Sequence, residues 1–183
     1  MKNSNNFKTA QVLLLLLILI SFQRCTVKSN GQWKSEITNL ELNFNENWEI
    51  IKPDIDSEDE ILIGIIDKRD NSSLTVKISE DVSKEILSDE SYYNFTKMQM
   101  LSENNRNELI TEDEIEFKGA KFHRMILLMK TKYGKMIHTV YIHRNEEKKK
   151  ITGIQFSYPE KLVDNPIEII PLKLKEILNN MKL

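Results

Sequence analysis

From Leu109 to Tyr158 the chain reads as four β-strands in a row, and this run limits the fold more than any other feature. Leu109 to Phe117 places Ile115 and Phe117 in phase, and Lys118-Gly119 turns the chain. Phe122, Arg124, Ile126 and Leu128 then alternate with His123, Met125, Leu127 and Met129, so both faces are apolar in the middle. That is the pattern of a strand covered on both sides. Tyr133-Gly134 makes the next turn, and Met136 to His143 the next strand. Asn145 to Lys149 is a charged turn, and Ile151 to Tyr158 closes the run with Ile154, Phe156 and Tyr158 in phase. Connections this short join antiparallel neighbours, because a parallel pair needs a crossover of about a dozen residues or more. The run predicts an antiparallel meander.

Upstream, Leu40, Leu42 and Phe44 alternate with polar residues and predict a half-buried strand over Ile37–Phe44. Trp48 to Ile51 resumes an apolar run, and Pro53 opens an acidic stretch, Asp54 to Glu60. Ile61–Ile66 and Leu74–Ile78 flank the turn Asp70-Asn71-Ser72 and predict a hairpin. A helix follows, with Ser88 as N-cap and Asp89 and Glu90 in the first turn, where the helix dipole favours acids. Tyr92, Phe95, Met98 and Leu101 form its apolar stripe, and Asn104-Asn105 ends it. The chain closes with a second helix carrying Ile167, Ile170, Leu174, Ile177 and Met181 on one face. Pro171 can stand only in the first turn of the main helix, so Ile167 to Ile170 could form a separate turn. The class is α+β: an antiparallel sheet flanked by helices.

The N-terminus reads as an address. Residues 1–11 are polar and basic, and Val12–Ile20 is an unbroken apolar run of nine. As a helix it would span about 14 Å, against a bilayer core of about 30 Å. A basic region followed by a short apolar run is the pattern of a secretory signal, here residues 1–24. Cys25 is the single cysteine, so no intrachain disulfide is possible. It stands where bacterial lipoprotein signals place the acylated cysteine, although Phe22, Gln23 and Arg24 replace the small residues usual before it. Residues 25–35 are expected to be the lipidated cysteine and its tether, and 36–183 a single globular domain. The membrane is then a partner through the lipid anchor, and the location is the bacterial cell envelope, on the periplasmic or outer-surface side.

Charge excludes one large class of partners. Lys2, Lys8 and Arg24 lie in the N-terminal segment, leaving 23 basic against 28 acidic residues and a formal charge of −5 over residues 26–183. An acidic domain gains no net attraction to phosphate backbones, so nucleic acid is not expected.

The order of elements resembles a known family. A strand, turn and tryptophan, LELNFNENWEII (Leu40 to Ile51), precede a hairpin and a helix. A glycine-bearing hairpin, FKGAKFHRMILLM (Phe117 to Met129), leads into GKMIHTVYIHR, ITGIQFSYP and a C-terminal helix. From Ile37 to Leu183 this resembles the PsbP/Mog1-like fold, an α/β/α sandwich, with Asn45 and Asn47 in place of the usual Pro and Gly around the tryptophan. The resemblance implies a binding or assembly role. Known members include photosystem accessory proteins and a regulator of a small GTPase, many bacterial members are lipoproteins, and no family-wide catalytic residues carry over.

Candidate chemistry is sparse. His138 and His143 are five residues apart, so on one regular strand they point to opposite faces, and His123 could join only one of them. Asp54, Asp56, Glu58, Asp59 and Glu60 resemble a calcium loop, but the sixth and twelfth positions from Asp54 are Asp59 and Ile65 rather than glycine and a bidentate acid. No nucleophile elbow or phosphate-cradling glycine loop is present. Asn71-Ser72-Ser73 and Asn94-Phe95-Thr96 match a glycosylation pattern that has no meaning in a bacterial envelope. Lys118, Lys121, Arg124, Lys130, Lys132, Lys135, Arg144 and Lys148–Lys150 make the meander basic while the earlier half is acidic. That asymmetry could orient the domain against an envelope protein partner or an anionic surface. The leading expectation is therefore a non-enzymatic, envelope-tethered binding or assembly domain with no catalytic residue, metal or cofactor and with Cys25 as its lipidation site. The alternative is a carrier of a small hydrophobic ligand or lipid, with Tyr92, Phe95, Met125, Met129 and Met136 lining a pocket between helix and sheet. A third reading, an enzyme using His123 with His138 or His143, requires two of these side chains within bridging reach.

Overall fold

The computed structural model describes residues 31–82, 87–102, 107–132, 134–145 and 147–183. The signal segment and Cys25 lie outside these residues, as do Asn104-Asn105 and Tyr133. Seven strands form one antiparallel sheet: β3 (Trp48–Asp56), β4 (Glu60–Asp67), β5 (Ser72–Glu80), β6 (Glu108–Phe117), β7 (Ala120–Thr131), β8 (Gly134–Asn145) and β9 (Lys150–Pro159). Their order is β3-β4-β5-β9-β8-β7-β6, and β1 (Gln32–Lys34) and β2 (Glu41–Asn43) make a separate antiparallel pair. Helix α1 (Asp89–Ser102) follows β5, and α2 (Leu172–Asn180) closes the chain. The meander is therefore present as expected, in the order of its hairpins.

Local chemistry explains the turns. At the β6–β7 connection Lys118 and Gly119 both have positive φ, 53° and 75°, the primed geometry that matches strand twist. Asn71 (φ 62°) serves the β4–β5 turn, where Asp70 accepts the Ser72 N–H at 2.9 Å.

The sheet is covered on both faces. On one, Ile63, Ile65, Leu74, Val76, Phe156 and Tyr158 pack with Leu40 and Leu42 of the β2 region and with Leu174, Ile177 and Leu178 of α2 in one buried cluster. Lys173 secures α2 to this face. Its Nζ donates to the buried Asp67 at 3.1 Å and to Asp70 Oδ1 at 2.6 Å, and it lies 5.5 Å from the Trp48 ring centroid. Hydrogen bonds from Arg69 hold the Asp67 carboxyl well below the usual carboxylate range, with Lys173 adding to the effect. On the other face Met125, Val140 and Ile142 are buried with Tyr92, Tyr93 and Met100 of α1 against them.

Several expectations need correction. Strand β1 lies in the span expected to be tether, and Trp33 and Ser35 are buried there. The strand expected over Ile37–Phe44 is only β2, since the Ser35 hydroxyl accepts the N–H groups of Ile37 and Thr38 and bends the chain. The acidic stretch is not one loop: β3 runs through Pro53 to Asp56 with a register shift between Ile51 and Ile55. A sheet edge tolerates proline because the outer amide needs no partner there. Helix α2 starts just after Pro171, as the proline requires, so Ile167 stands outside it and is exposed rather than on its apolar face.

Helix α1 has the largest discrepancy. Ser88 caps it, accepting the Ser91 N–H at 3.2 Å, but Phe95 and Met98 of the expected stripe are 54% and 67% exposed. Of that stripe Tyr92 does face the sheet, joined there by Tyr93 and Met100. Three contacts decide this rotation. Arg144 binds Asp89 Oδ1 at 2.6 Å, His123 stacks on Tyr93 with centroids 4.4 Å apart, and Lys97 pairs with Glu112.

Candidate functional site

One end of the sheet, on the α2 face, opens into a cleft of about 830 Å³. Its wall is the Ser35–Asn39 loop between β1 and β2. Asp56, at the end of β3, holds that loop in place. Its Oδ1 accepts the Ser35 hydroxyl and its Oδ2 the Glu36 N–H, both at 2.7 Å. The floor is apolar: Ile61 and Phe122 are buried, with half-buried Ile78 and Phe117 beside them. His143 also lines it, 5.2 Å from the Phe122 ring centroid. Its Nδ1 lies 2.9 Å from the Lys121 carbonyl. A carbonyl only accepts, so Nδ1 is the donor in this contact.

Charge around the cleft differs from charge elsewhere on the sheet. Along β6 the acids neutralise the basic strand beside them: Arg124 pairs with Asp113, Lys130 with Glu108 and Lys121 with Glu114. Lys68, Lys77, Lys135 and Lys182 are also ion-paired. The expected basic face of the meander is thus largely cancelled. The four lysines that line the cleft, Lys34, Lys118, Lys148 and Lys150, form no ion pair among the described residues. Lys118 donates only to the Asn179 carbonyl at 2.5 Å and Lys150 only to the Glu58 carbonyl at 2.9 Å. Glu36, Glu58 and Glu60 also border the cleft, and Glu60 is neutralised by Lys77 at 2.8 Å.

The structure does not gather the histidines. His123 and His138 share the α1 face, opposite Ile142 and Leu127 respectively, four residues apart along the β7–β8 ladder. That separation is about 13 Å at the usual rise per residue. His143 lies on the other face, as its odd spacing from His138 requires. Burial pushes His123 down, with Glu112 opposing from 3.9 Å, and its Nε2 is buried without a hydrogen-bond partner. The acidic stretch is equally dispersed. Asp56 clamps the wall, Glu60 pairs with Lys77, and the Glu58 carbonyl receives Lys150. Among the described residues no group of three His, Cys, Asp or Glu is placed to hold a metal.

The pocket foreseen between helix and sheet is filled. Met125 is fully buried under Tyr92, Tyr93 and Met100, while Phe95 points to solvent. Met136 instead borders a separate cleft of about 460 Å³ with Arg69 and Pro159. Sequence reasoning missed the open cleft because its wall comes from a segment assigned to tether and strand. The one legible signal was Trp33, an aromatic residue in an otherwise polar stretch.

His138 gives a measurable pH dependence. Its Nδ1 lies 2.6 Å from the Ser157 hydroxyl, and burial pushes its pKa down to about 4. The folded state thus favours neutral imidazole, while the unfolded chain takes up a proton near its ordinary value of about 6.5. Stability is complete above that value and falls as pH drops from about 6.5 towards about 4. At about 1.4 kcal/mol per unit, the loss attributable to His138 is about 2–3 kcal/mol. Urea unfolding at about pH 7 and about pH 4.5 checks this, the wild type losing more than His138→Gln by that amount. Equal losses in both proteins would place the pH dependence elsewhere.

No protein-family model matches the sequence, and no curated protein matches it. Solved structures do. The Saccharomyces cerevisiae Ran-binding protein Mog1p superposes with a TM-score of 0.51 at 14% identity, over 84% of this chain and 94% of that one. A point mutant of Mog1 gives 0.49 at 14% identity, over 82% and 95%. A Bacteroides thetaiotaomicron VPI-5482 protein gives 0.48 at 9% identity over 84% of this chain, which spans 48% of that protein's length. With its mostly antiparallel sheet and two helices, the chain has a Mog1-like fold.

Proposed function

We propose that this protein is an envelope-tethered, non-enzymatic binding or assembly domain, exported by residues 1–24 and held at the bacterial membrane by acylated Cys25. The observation that carries the binding role is the cleft. Its apolar floor and unneutralised lysine rim form a recognition surface of the size that ligand sites occupy, about 300–1,000 Å³. Mog1p is a Ran-binding protein, so binding is a role this fold already serves. The tether rests on the sequence: a short apolar run after basic residues, and one cysteine just beyond it. Among the described residues no helix is long and apolar enough to cross a membrane. A diacylglycerol plus an amide-linked chain buries dozens of methylenes at about 0.8 kcal/mol each, enough for permanent attachment.

The test is intact mass and membrane fractionation of the native protein beside Cys25→Ala. A membrane-bound wild type that begins at Cys25 and carries acyl mass, beside a variant that is not so processed, supports the tether. A mature chain that starts elsewhere or fractionates as soluble overturns it and leaves a diffusible binding role.

A further inference from the structure

The geometry points to an extended, acidic–apolar segment of another protein as the occupant of the cleft, its apolar side chains on the Ile61–Phe122 floor and its carboxylates against Lys34, Lys118, Lys148 and Lys150. The inference rests on the reading of the cleft as a binding surface.

Charge complementarity is the main reason. Among the described residues Lys68, Lys77, Lys121, Lys130 and Lys135 on and beside the strands are paired with acids, whereas the four lysines on the cleft are not. Of the acidic side chains at the rim, Glu36 and Glu58 remain uncancelled once Glu60 pairs with Lys77. The lysines surround an apolar floor rather than a polar one, so a bare anion leaves the floor unsatisfied. An extended peptide meets both demands, because alternate side chains point to opposite sides and recur every two residues, about 6.6 Å apart. Ile37, 47% exposed on the wall loop, adds an apolar contact at the lip. Lys118 sits 5.8 Å from the Phe117 ring centroid, which joins the cationic rim to the aromatic floor. A planar anionic membrane fits less well. It cannot reach a floor recessed behind the Ser35–Asn39 wall, and it would press Glu36 and Glu58 against like-charged headgroups.

The experiment uses the full chain carrying Cys25→Ala, so that a lipid anchor contributes nothing and the outcome is independent of the tether. The probe is a fluorescein-labelled peptide of alternating glutamate and leucine, read by anisotropy. Saturable binding is expected, weakened about tenfold by Lys34→Glu with Lys148→Glu. Lys161→Glu with Lys175→Glu makes the same change in net charge away from the cleft and should stay within about twofold. Ile37→Ser, at an exposed position that leaves the core intact, should also weaken binding, as should replacing leucine with serine in the peptide. Equal weakening by both charge pairs would show non-specific attraction and overturn the proposal, as would the absence of saturable binding. Sedimentation with phosphatidylglycerol–phosphatidylcholine vesicles, lost in the Lys34/Lys148 variant while the peptide fails to bind, would assign the surface to the membrane instead. None of these failures touches the acyl mass on Cys25, so the two readings fall separately.

Discussion

Arg144→Met is expected to destabilise the domain by about 3–5 kcal/mol. The Arg144 side chain is 3% exposed and that of Asp81 1%, with Nε donating to Oδ2 at 2.7 Å. Methionine fills much of the arginine's volume but removes the buried charge-assisted hydrogen bond to the Asp81 carboxylate. Removing one member of a buried pair costs far more than removing both, because an uncompensated charge is worse than none. The double variant Asp81→Asn with Arg144→Met should therefore recover most of the loss. The arginine also binds the start of α1, through Asp89 and the Leu87 carbonyl, and lies 4.9 Å from the Tyr92 ring centroid. No residue of α1 is buried, so the helix depends on such contacts. Urea midpoints measure the stability change, and hydrogen exchange of the α1 amides should accelerate in Arg144→Met before the rest of the sheet opens. A single-variant cost below about 1 kcal/mol would mean that the pair is effectively solvated.

Phe156→Ala is expected to cost about 3–5 kcal/mol, while Phe95→Ala should stay within about 0.5 kcal/mol. Phe156 is 1% exposed on β9, between Leu74 of β5 and Thr139 of β8. Its ring meets Tyr141 edge-on with centroids 5.4 Å apart, and Tyr158 at 6.4 Å. The strands around it are hydrogen-bonded on both sides and cannot close the space, so the cavity term adds to the lost burial. Phe95 already faces water, and its removal exposes nothing. Paired urea unfolding at unchanged m-value separates the two. Similar losses would mean that α1 packs through its expected stripe after all.

Together the two variants contrast burial that could be read from alternation with burial that could not. Phe156 stood in phase with Ile154 and Tyr158 and was legible as core. Phe95 stood in an equally regular stripe and is exposed, because Arg144, the Tyr93–His123 stack and the Lys97–Glu112 pair rotate α1 away from it. A helix with so weak an apolar face can be reoriented by three polar contacts, none of them local in sequence. The histidines illustrate the same division. The odd spacing of His138 and His143 sufficed to separate them onto two faces, whereas the separation of His123 from His138 needed the register of β7 on β8.

What the sequence determined by itself was therefore local: the strands β4 to β9, the hairpin turns at Asn71 and Lys118-Gly119, the Ser88 cap and the meander order. Each depends on contacts between residues a few positions apart, where side-chain period and turn geometry leave few alternatives. Tertiary structure alone decided the pairing of β5 with β9, which places Leu74 beside Phe156 and joins the two hairpin systems into one sheet. It also placed Trp33 in the core, brought Asp81 to Arg144 and set the Ser35–Asn39 loop over the end of the sheet to form the cleft. Burial selects such partners from across the chain, because every strand needs both its faces and its edges satisfied at once, and that requirement is met only in the assembled sheet.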